Sequence, residues 1–564
     1  MVPLNWIEYE LTTAFPSAYP YIQSLPADKR RADRNASWTM LCREDRAGAA
    51  ARIQYEQKGH ASMNGDVGAM CPPRGNAADD LGTMVRTIGP RQPSTFYDVD
   101  LANVDFKYWT LVSAEPEFYA MILPLYFEAG HAFAGFFDSQ LFLGDLVAHK
   151  PRYCSSLLVN AVLYIACLYG GSSHPTALRL RYAFANEAQM LWRIAKRDGS
   201  DSVLNVAATL VLSFAFSSDL DQTKGDYYFS EASAMADRLD LLCHTKAGAQ
   251  RFHELAFDDA RSQSYTAWGL FTFQTMRSFH YREGCPVDVP HTPIPGEHWP
   301  LPQDAPHYVG SSFAAWCKVS SIILPITQNY CDPTATFSLA DAETKYLELL
   351  KWLQDLAEPM ERTENSPHHV LWCHTYFHTA VMDIFRPFLG QRARLQSFSA
   401  VGSSPEAVFA ASLKQLKHLT VQFHQTYREA SYAVQWHQSA IYIVNAVLRN
   451  SEDPDFEFYL MLCIHIYFSL AKSWRTAKSI LSSVLGMAVQ RKKLPLADAV
   501  SIFKLLPDSD PAPDNDVNAA YVIDQQRALI DVDESRGQRL AQDFQTMTIL
   551  DEYTTTHSLE DANS

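Results

Sequence analysis

The chain has 564 residues, 47% of them hydrophobic, which is enough to bury a large core in one large domain or in two to three ordinary ones. A net charge of −16 disfavours general attraction to nucleic acid phosphates, and the short basic run Lys29-Arg30-Arg31 with Arg34 is typical of a solvated loop. The ten cysteines are scattered without any C-x-x-C pair, which predicts reduced thiols and neither a disulfide framework nor a zinc knot.

The amino-terminal part, residues 1–114, predicts a mostly disordered leader. Residues 27–95 are rich in Ala, Gly, Asp, Arg and Pro and sustain no helical or strand period. Glu8 and Glu10 stand where a secretory signal would carry positive charge, so we expect the chain to stay inside the cell.

Residues 115–506 predict an all-α domain, because helical patterns follow one another with short breaks and almost nothing alternates with period two. Prolines at 175 and 405 mark the first positions of two of its helices. Seven prolines between residues 286 and 306 predict a long extended loop between two helical halves.

The segment YCSSLLVNAVLYIACLY, residues 153–169, is the most apolar stretch. A membrane-spanning helix needs roughly 20 consecutive apolar residues, whereas this run is shorter and contains Asn160. Ser155 and Ser156 are typical caps and Gly170 is a typical helix exit, so the pattern predicts a buried helix and no membrane span.

The last part, residues 507–564, follows the break PDSDPAPDND and intersperses apolar with acidic residues. This composition is found in activation segments and also in solvated termini, and it predicts an acidic, flexible tail.

Motifs for nucleotide binding and for hydrolase nucleophiles do not occur in the sequence. The best metal candidates are His374 and His378, four apart on a predicted helix, with Cys373 and Asp383 nearby. The glutamate of H-E-x-x-H is missing, and histidines in an aromatic-rich helix are more often packed than metal-bound, so we predict no metal and no catalytic residue.

Asp258 and Asp259 begin another predicted helix and resemble the aspartate-rich magnesium site of terpene cyclases. Ser262 occupies the place of the third aspartate, and the helix dipole explains two acids at a helix start. The same helix carries Trp268 and Phe271, which either line a ligand pocket or fill the core, and their spacing leaves both alternatives open.

Five segments, taken in order, resemble the middle homology region of fungal-specific transcription factors of the zinc binuclear-cluster class, most of all the nitrate-pathway and xylanolytic regulators. They are residues 125–146, 153–171, 227–241, 265–290 and 376–390. The fourth contains the family's Trp-Gly-x-Phe helix and its Gly-x-Pro turn, represented by Trp268, Gly269, Phe271, Gly284 and Pro286. Gln274 and Met276 depart from the polar pair usual in the family, which puts in doubt a polar contact of that helix.

The resemblance implies an all-α regulatory domain, action in the nucleus, effector or inhibitory control and an acidic activation tail. Family members also carry a six-cysteine cluster that holds two zinc ions and reads DNA. Only Cys42 and Cys71 precede the helical domain here, too few thiolates for two zinc ions. We therefore expect no cofactor and no direct DNA contact from this chain.

The resulting prediction is a non-enzymatic regulator of transcription, for secondary metabolism or nutrient use, that acts through other transcription factors or co-regulators and can form a homo- or heterodimer. Two alternatives stay open. One is an all-α enzyme or small-molecule binder with an interhelical pocket, and the other is a helical scaffold for protein partners.

Overall fold

The protein is described by a computed structural model, and every structural statement below concerns the following ranges: 6–22, 101, 103–171, 174–199, 201–299, 312–329, 337–356, 358–363, 365–400, 402–427, 436–450, 453–506 and 521–562. Cys42, Cys71, the basic run near residue 30 and the second half of the proline-rich loop lie outside these residues.

Helices make up almost all the regular structure of the described residues. Their single β-type contact is an isolated antiparallel bridge between Val522 and Arg536, so the all-α prediction is confirmed. The first nine helices are α1 (Trp6–Ala14), α2 (Pro116–Tyr126), α3 (Ser139–Ala148), α4 (Ser156–Gly170), α5 (Pro175–Arg197), α6 (Val203–Ser218), α7 (Gln222–Leu239), α8 (Lys246–His253) and α9 (Phe257–Tyr281).

The second set of helices follows the loop after α9, whose residues 286–299 are irregular as the prolines predict. These helices are α10 (Phe313–Asn329), α11 (Leu339–Gln354), α12 (His368–Phe385), α13 (Pro405–Thr426), α14 (His437–Arg449), α15 (Phe456–Leu470), α16 (Arg475–Gln490), α17 (Leu496–Lys504) and α18 (Gly537–Ala562). Most helices pack against the helix that precedes or follows them in the sequence. A contact between α6 and α16 joins the first set of helices to the second.

Side-chain caps fix several helix starts. The Ser155 hydroxyl accepts the Leu158 N–H at the start of α4, and the Ser404 hydroxyl caps α13 ahead of Pro405. Ser338 and Asp341 form a reciprocal capping box on α11. Such caps satisfy backbone donors that the first helical turn leaves free, so these boundaries are encoded locally.

Helix α4, the apolar stretch of the sequence, is buried on all sides and packs against α2, α5 and α6. Its Asn160 is satisfied internally. The Asn160 Oδ1 accepts the Thr110 hydroxyl at 2.9 Å, and its amide nitrogen donates to the carbonyls of Ser156 and Trp109. None of the described helices combines the length and apolarity that a bilayer crossing requires.

Two stretches within the region predicted to be mostly disordered, residues 1–114, are folded. In α1, Ile7 and Leu11 are fully buried on the side that contacts α13, and the Tyr19 hydroxyl is hydrogen-bonded to Ser412 and Tyr346. Residues 103–114 pack beside α4 and α5. The overall polar composition of residues 1–114 obscured the apolar pair Ile7 and Leu11. The two residues have the i, i+4 spacing of one helix face, and they pack against α13, about 400 positions later in the sequence.

Part of the predicted flexible tail is also folded. Residues 521–536 form turns and loops that are held by backbone hydrogen bonds. Helix α18 places Leu540 and Phe544 against α16, next to Gly486. The acidic composition obscured this apolar pair, which has the i, i+4 spacing of one helix face. The prediction for residues 507–520 lies outside the described residues.

Candidate functional site

The signature residues of α9 are core residues in this structure. Trp268 is buried and donates from Nε1 to the Thr292 carbonyl at 3.0 Å, which ties α9 to the loop that follows it. Phe271 is fully buried against Trp268. At Gly269 the backbone of Gly135 approaches so closely that a Cβ would lie 2.8 Å from its carbonyl oxygen.

The turn after α9 contains Gly284 and Pro286. The Gly284 carbonyl accepts the Ser278 hydroxyl at 3.1 Å and the Gln274 amide at 3.4 Å, so Gln274 supplies a polar contact to this turn. Arg282 ends α9 in the left-handed conformation, with φ of 55°. The turn thereby brings Arg282 into the interior, where it meets α12.

His374 and His378 lie on the buried side of α12. His374 donates from Nε2 to the Met360 carbonyl at 3.1 Å, and His378 packs edge-on against Tyr19. Burial, with Arg362 nearby, lowers the pKa of His374 to about 4 and holds that of His378 further below its ordinary value. No group of three or more metal-ligating side chains occurs in the described ranges.

The other chemistry-bearing residues that the sequence singles out are also engaged in the fold. Asp259 accepts hydrogen bonds from Arg152 and Tyr153, which leaves Asp258 beside a carboxylate that is already paired. The seven cysteines within the described residues are free thiols. Burial raises the pKa of two thiols, that of Cys154 just before α4 and that of Cys167 within α4, as expected of packing residues.

Asp383 is the centre of a buried charge cluster. Its Oδ2 accepts from Arg282 Nη2 at 2.7 Å and from the Tyr442 hydroxyl at 2.6 Å, and its Oδ1 accepts from Arg386 Nε at 3.3 Å. The Asp383 side chain is 0% exposed and that of Arg386 is 4% exposed. One carboxylate thus serves two guanidinium groups.

A cleft of about 550 Å³ opens beside this cluster. Its walls come from the turn after α12, the start of α13, the end of α14, the residue after α16 and the segment 521–526, which we call the strap. The lining residues are Arg386, Leu389, Glu406, Phe409, Ala410, Leu413, Asn445, Ala446, Leu448, Arg449, Asn450, Arg491 and Gln526. Three arginines and one glutamate therefore face the cleft, although the whole chain is acidic.

Arg386 forms the base of the cleft. Its guanidinium lies over the rings of Phe409 and Tyr442, 5.5 Å from each ring centroid. While Nε is paired with Asp383, the Nη2 atom is buried and has no hydrogen-bond partner within the described part of the chain. A buried guanidinium nitrogen without a partner is uncommon, because it forfeits its hydration.

The strap is fixed along one side of the cleft. Asn445 donates to the Ile523 carbonyl at 2.7 Å and accepts the Gln525 N–H at 3.0 Å. Arg491 donates to Asp524 at 2.6 Å. The strap therefore connects the carboxy-terminal residues to α14 and to the end of α16.

Sequence reasoning missed the cleft and most of the charge cluster. One signal was present: Asp383 and Arg386 are charged residues in an otherwise apolar and aromatic stretch. Charges in such a setting must find partners when they are buried. The partners Arg282 and Tyr442 could not be identified, because they are 101 and 59 positions away from Asp383 in the sequence.

Three comparisons were made with known proteins. No family model matches the chain, and no solved structure matches it either. Among curated proteins, the Notoamide biosynthesis transcriptional activator notL' of Aspergillus versicolor is 23% identical over 456 residues, which cover 75% of this chain and 72% of that protein.

Two nitrogen regulators are similar over a shorter part. The Nitrogen assimilation transcription factor nirA of Emericella nidulans is 24% identical over 315 residues, or 50% of this chain and 34% of that protein. The Nitrogen assimilation transcription factor nit-4 of Neurospora crassa is 26% identical over 322 residues, or 50% of this chain and 28% of that protein. The chain thus spans about a third of the length of these two relatives.

All three relatives are named for transcription and none for an enzymatic activity, in agreement with the prediction that the chain is not an enzyme. Over half to three quarters of its length, the chain is similar to fungal regulators of transcription.

Proposed function

We propose that this protein regulates transcription in the nucleus and that its helices from α2 onward form a regulatory domain of the middle homology type. The observation that carries the proposal is the similarity to notL', which extends over 456 residues and so covers most of the helical body. The burial of His374, His378 and six of the seven described cysteines further disfavours a catalytic role for these residues.

The regulatory role is tested by tethering. The whole chain is fused to an unrelated DNA-binding domain and expressed in yeast with a reporter gene behind the matching sites, and the DNA-binding domain alone is the control. We expect the fusion to change reporter output. Unchanged output from both a silent and a constitutively active reporter would contradict a role in transcription.

We further propose that the protein reaches its target genes through a DNA-binding partner. This is supported by the sequence, in which only Cys42 and Cys71 lie before residue 115, whereas a two-zinc cluster needs six thiolates. The net charge of −16 also disfavours binding to a duplex through phosphates alone.

Recruitment is tested with the purified chain and with cells. Duplexes from promoters that the protein occupies in chromatin immunoprecipitation should not be bound with sequence specificity by the chain alone. A second transcription factor should co-purify with it, and promoter occupancy should fall when that factor is deleted. Specific duplex binding by the purified chain would overturn partner-mediated recruitment.

We propose that the target genes belong to secondary metabolism rather than to nutrient use. The reason is coverage: the match extends over 72% of the notoamide regulator but over 34% and 28% of the two nitrogen regulators. Transcript profiles of a deletion strain, grown on nitrate and under conditions of metabolite production, separate the two. A loss confined to nitrate-assimilation transcripts would reverse the order.

A further inference from the structure

We propose that the cleft beside Asp383 binds a small organic anion, with a carboxylate or phosphate group on an apolar body, and that Arg386 anchors its anionic group. This site goes beyond a role in transcription. Binding is measured on the purified chain, so it stands or falls independently of which genes the protein affects.

The first support is the charge balance at the base of the cleft. Arg386 shares the carboxylate of Asp383 with a second cation, Arg282, in a buried setting. An anion in the cleft would place a negative charge beside Arg386, which lines the cleft and whose buried Nη2 has no hydrogen-bond partner within the described residues.

The second support is the set of cations around that position. Arg449, at the end of α14, lines the cleft and makes no ion pair within the described residues, while Arg491 lines another side and is held by Asp524. Glu406 is the single acid in the lining, and its Oε1 accepts the Gly390 N–H at 2.6 Å. Planar guanidinium groups match carboxylate and phosphate geometry, which favours these anions over others.

The third support is the apolar remainder of the lining. Leu389, Phe409, Leu413 and Leu448 contribute aliphatic and aromatic surface, and the volume of about 550 Å³ falls in the usual range for small-molecule sites. An inorganic ion would leave most of this space and surface unused. The chemistry therefore selects an anion that also carries a hydrocarbon part.

A ligand in the cleft would contact the turn after α12, α13, α14 and the strap at the same time, because all four contribute lining residues. Binding should therefore stabilise the folded domain as a whole and raise its melting temperature in proportion to ligand saturation.

The test uses the purified full chain and four probes: 4-phenylbutyrate, phenyl phosphate, the neutral 4-phenylbutan-1-ol and inorganic phosphate. Titration calorimetry and thermal melting are measured for each. We expect saturable binding of 4-phenylbutyrate or phenyl phosphate, with a Kd on the order of 1 mM or lower, and at least tenfold weaker binding of the alcohol and of inorganic phosphate. The comparison of the two anionic probes shows which group the site prefers.

Variants locate the binding. Arg386→Gln should weaken the better anionic probe about tenfold or more, since a hydrogen bond to a charged group is lost. Arg449→Glu reverses an exposed charge and should weaken it by a similar factor without affecting folding. Arg197→Gln, which changes an exposed arginine on α5, is the matched control and should leave Kd unchanged.

If circular dichroism shows that the Arg386→Gln variant is unfolded, the Kd measured for the Arg449→Glu variant tests the proposal. The proposal is overturned if neither anionic probe binds, if the neutral alcohol binds as tightly as 4-phenylbutyrate, or if Arg449→Glu binds with the Kd of the unmodified chain.

Discussion

Arg282 and Asp383 form a 2.7 Å ion pair that links the end of α9 to α12, across 101 positions of sequence. Arg282 reaches this position from a left-handed turn, and Asp383 is at the same time bound by Arg386 and by Tyr442 of α14. The carboxylate of Asp383 therefore connects α9 and α12, the segments with the strongest sequence signatures, to α14, which lines the cleft.

Substitution Asp383→Asn should lower the free energy of unfolding by about 3–5 kcal/mol. The change keeps the shape of the side chain but removes the negative charge that both buried guanidinium groups contact. Urea denaturation measures the effect. Asp198→Asn, which removes an exposed pair with Arg197, is the control and should cost less than about 1 kcal/mol. Equal, small effects of both substitutions would show that the cluster is not important for stability.

Substitution Gly269→Ala should destabilise the protein by about 1–3 kcal/mol, because the new methyl group would lie 2.8 Å from a backbone oxygen and 2.9 Å from the Phe136 Cα. Backbone cannot rotate away as a side chain can. Gly144→Ala in α3 is the matched control, since no atom lies within 4 Å of its Cβ position. It should stabilise the protein by about 0.5–1 kcal/mol. Thermal melting of both variants checks the opposite signs.

Acidification should destabilise the protein between pH 6.5 and about 3. Burial lowers the pKa of His131, His280 and His437 to about 3 and that of His374 to about 4, from 6.5. Below pH 6.5 the unfolded chain binds protons that the folded chain excludes, so stability falls as pH falls. Each such histidine costs about 1 kcal/mol at pH 5.5 relative to pH 7.5.

The contribution of one histidine is isolated by difference. His437→Gln should reduce the loss of unfolding free energy between pH 7.5 and 5.5 by about 1 kcal/mol relative to the unmodified chain, since other titrating groups cancel. An exposed histidine gives the control: His253→Gln, on α8, should leave the pH dependence as it is. An unchanged pH dependence in the His437 variant would contradict burial in the neutral form.

Substitution Asn445→Ala should loosen the strap. It removes one donor and one acceptor that hold Ile523 and Gln525 and leaves their backbone groups buried without partners, at a cost of about 2–3 kcal/mol. Hydrogen exchange of residues 521–536 should become faster, while α4 keeps its protection. Asn186→Ala, at an exposed site on α5, is the control. Unchanged exchange in the strap would mean that other contacts, such as the pair between Arg491 and Asp524, suffice to hold it.

The sequence by itself determined the helical class, several helix starts and the burial of α4. These depend on information within one or two turns of chain: a serine cap before α4, a proline at the first position of α13, and apolar residues on every side of the helix from 156 to 170. The resemblance also identified α9 and α12 as important segments, although it did not show what their polar residues contact.

Tertiary structure alone decided where the chain ends belong and where the cleft forms. Ile7 with Leu11, and Leu540 with Phe544, are short apolar pairs in polar surroundings, and each becomes stabilising only against a helix distant in sequence. The carboxylate of Asp383 likewise has Arg386 as its local partner and otherwise depends on a charged donor, Arg282, and a neutral donor, Tyr442, that are distant in sequence. Local periodicity encodes which residues turn inward, but burial energy and charge compensation depend on which distant residues meet there.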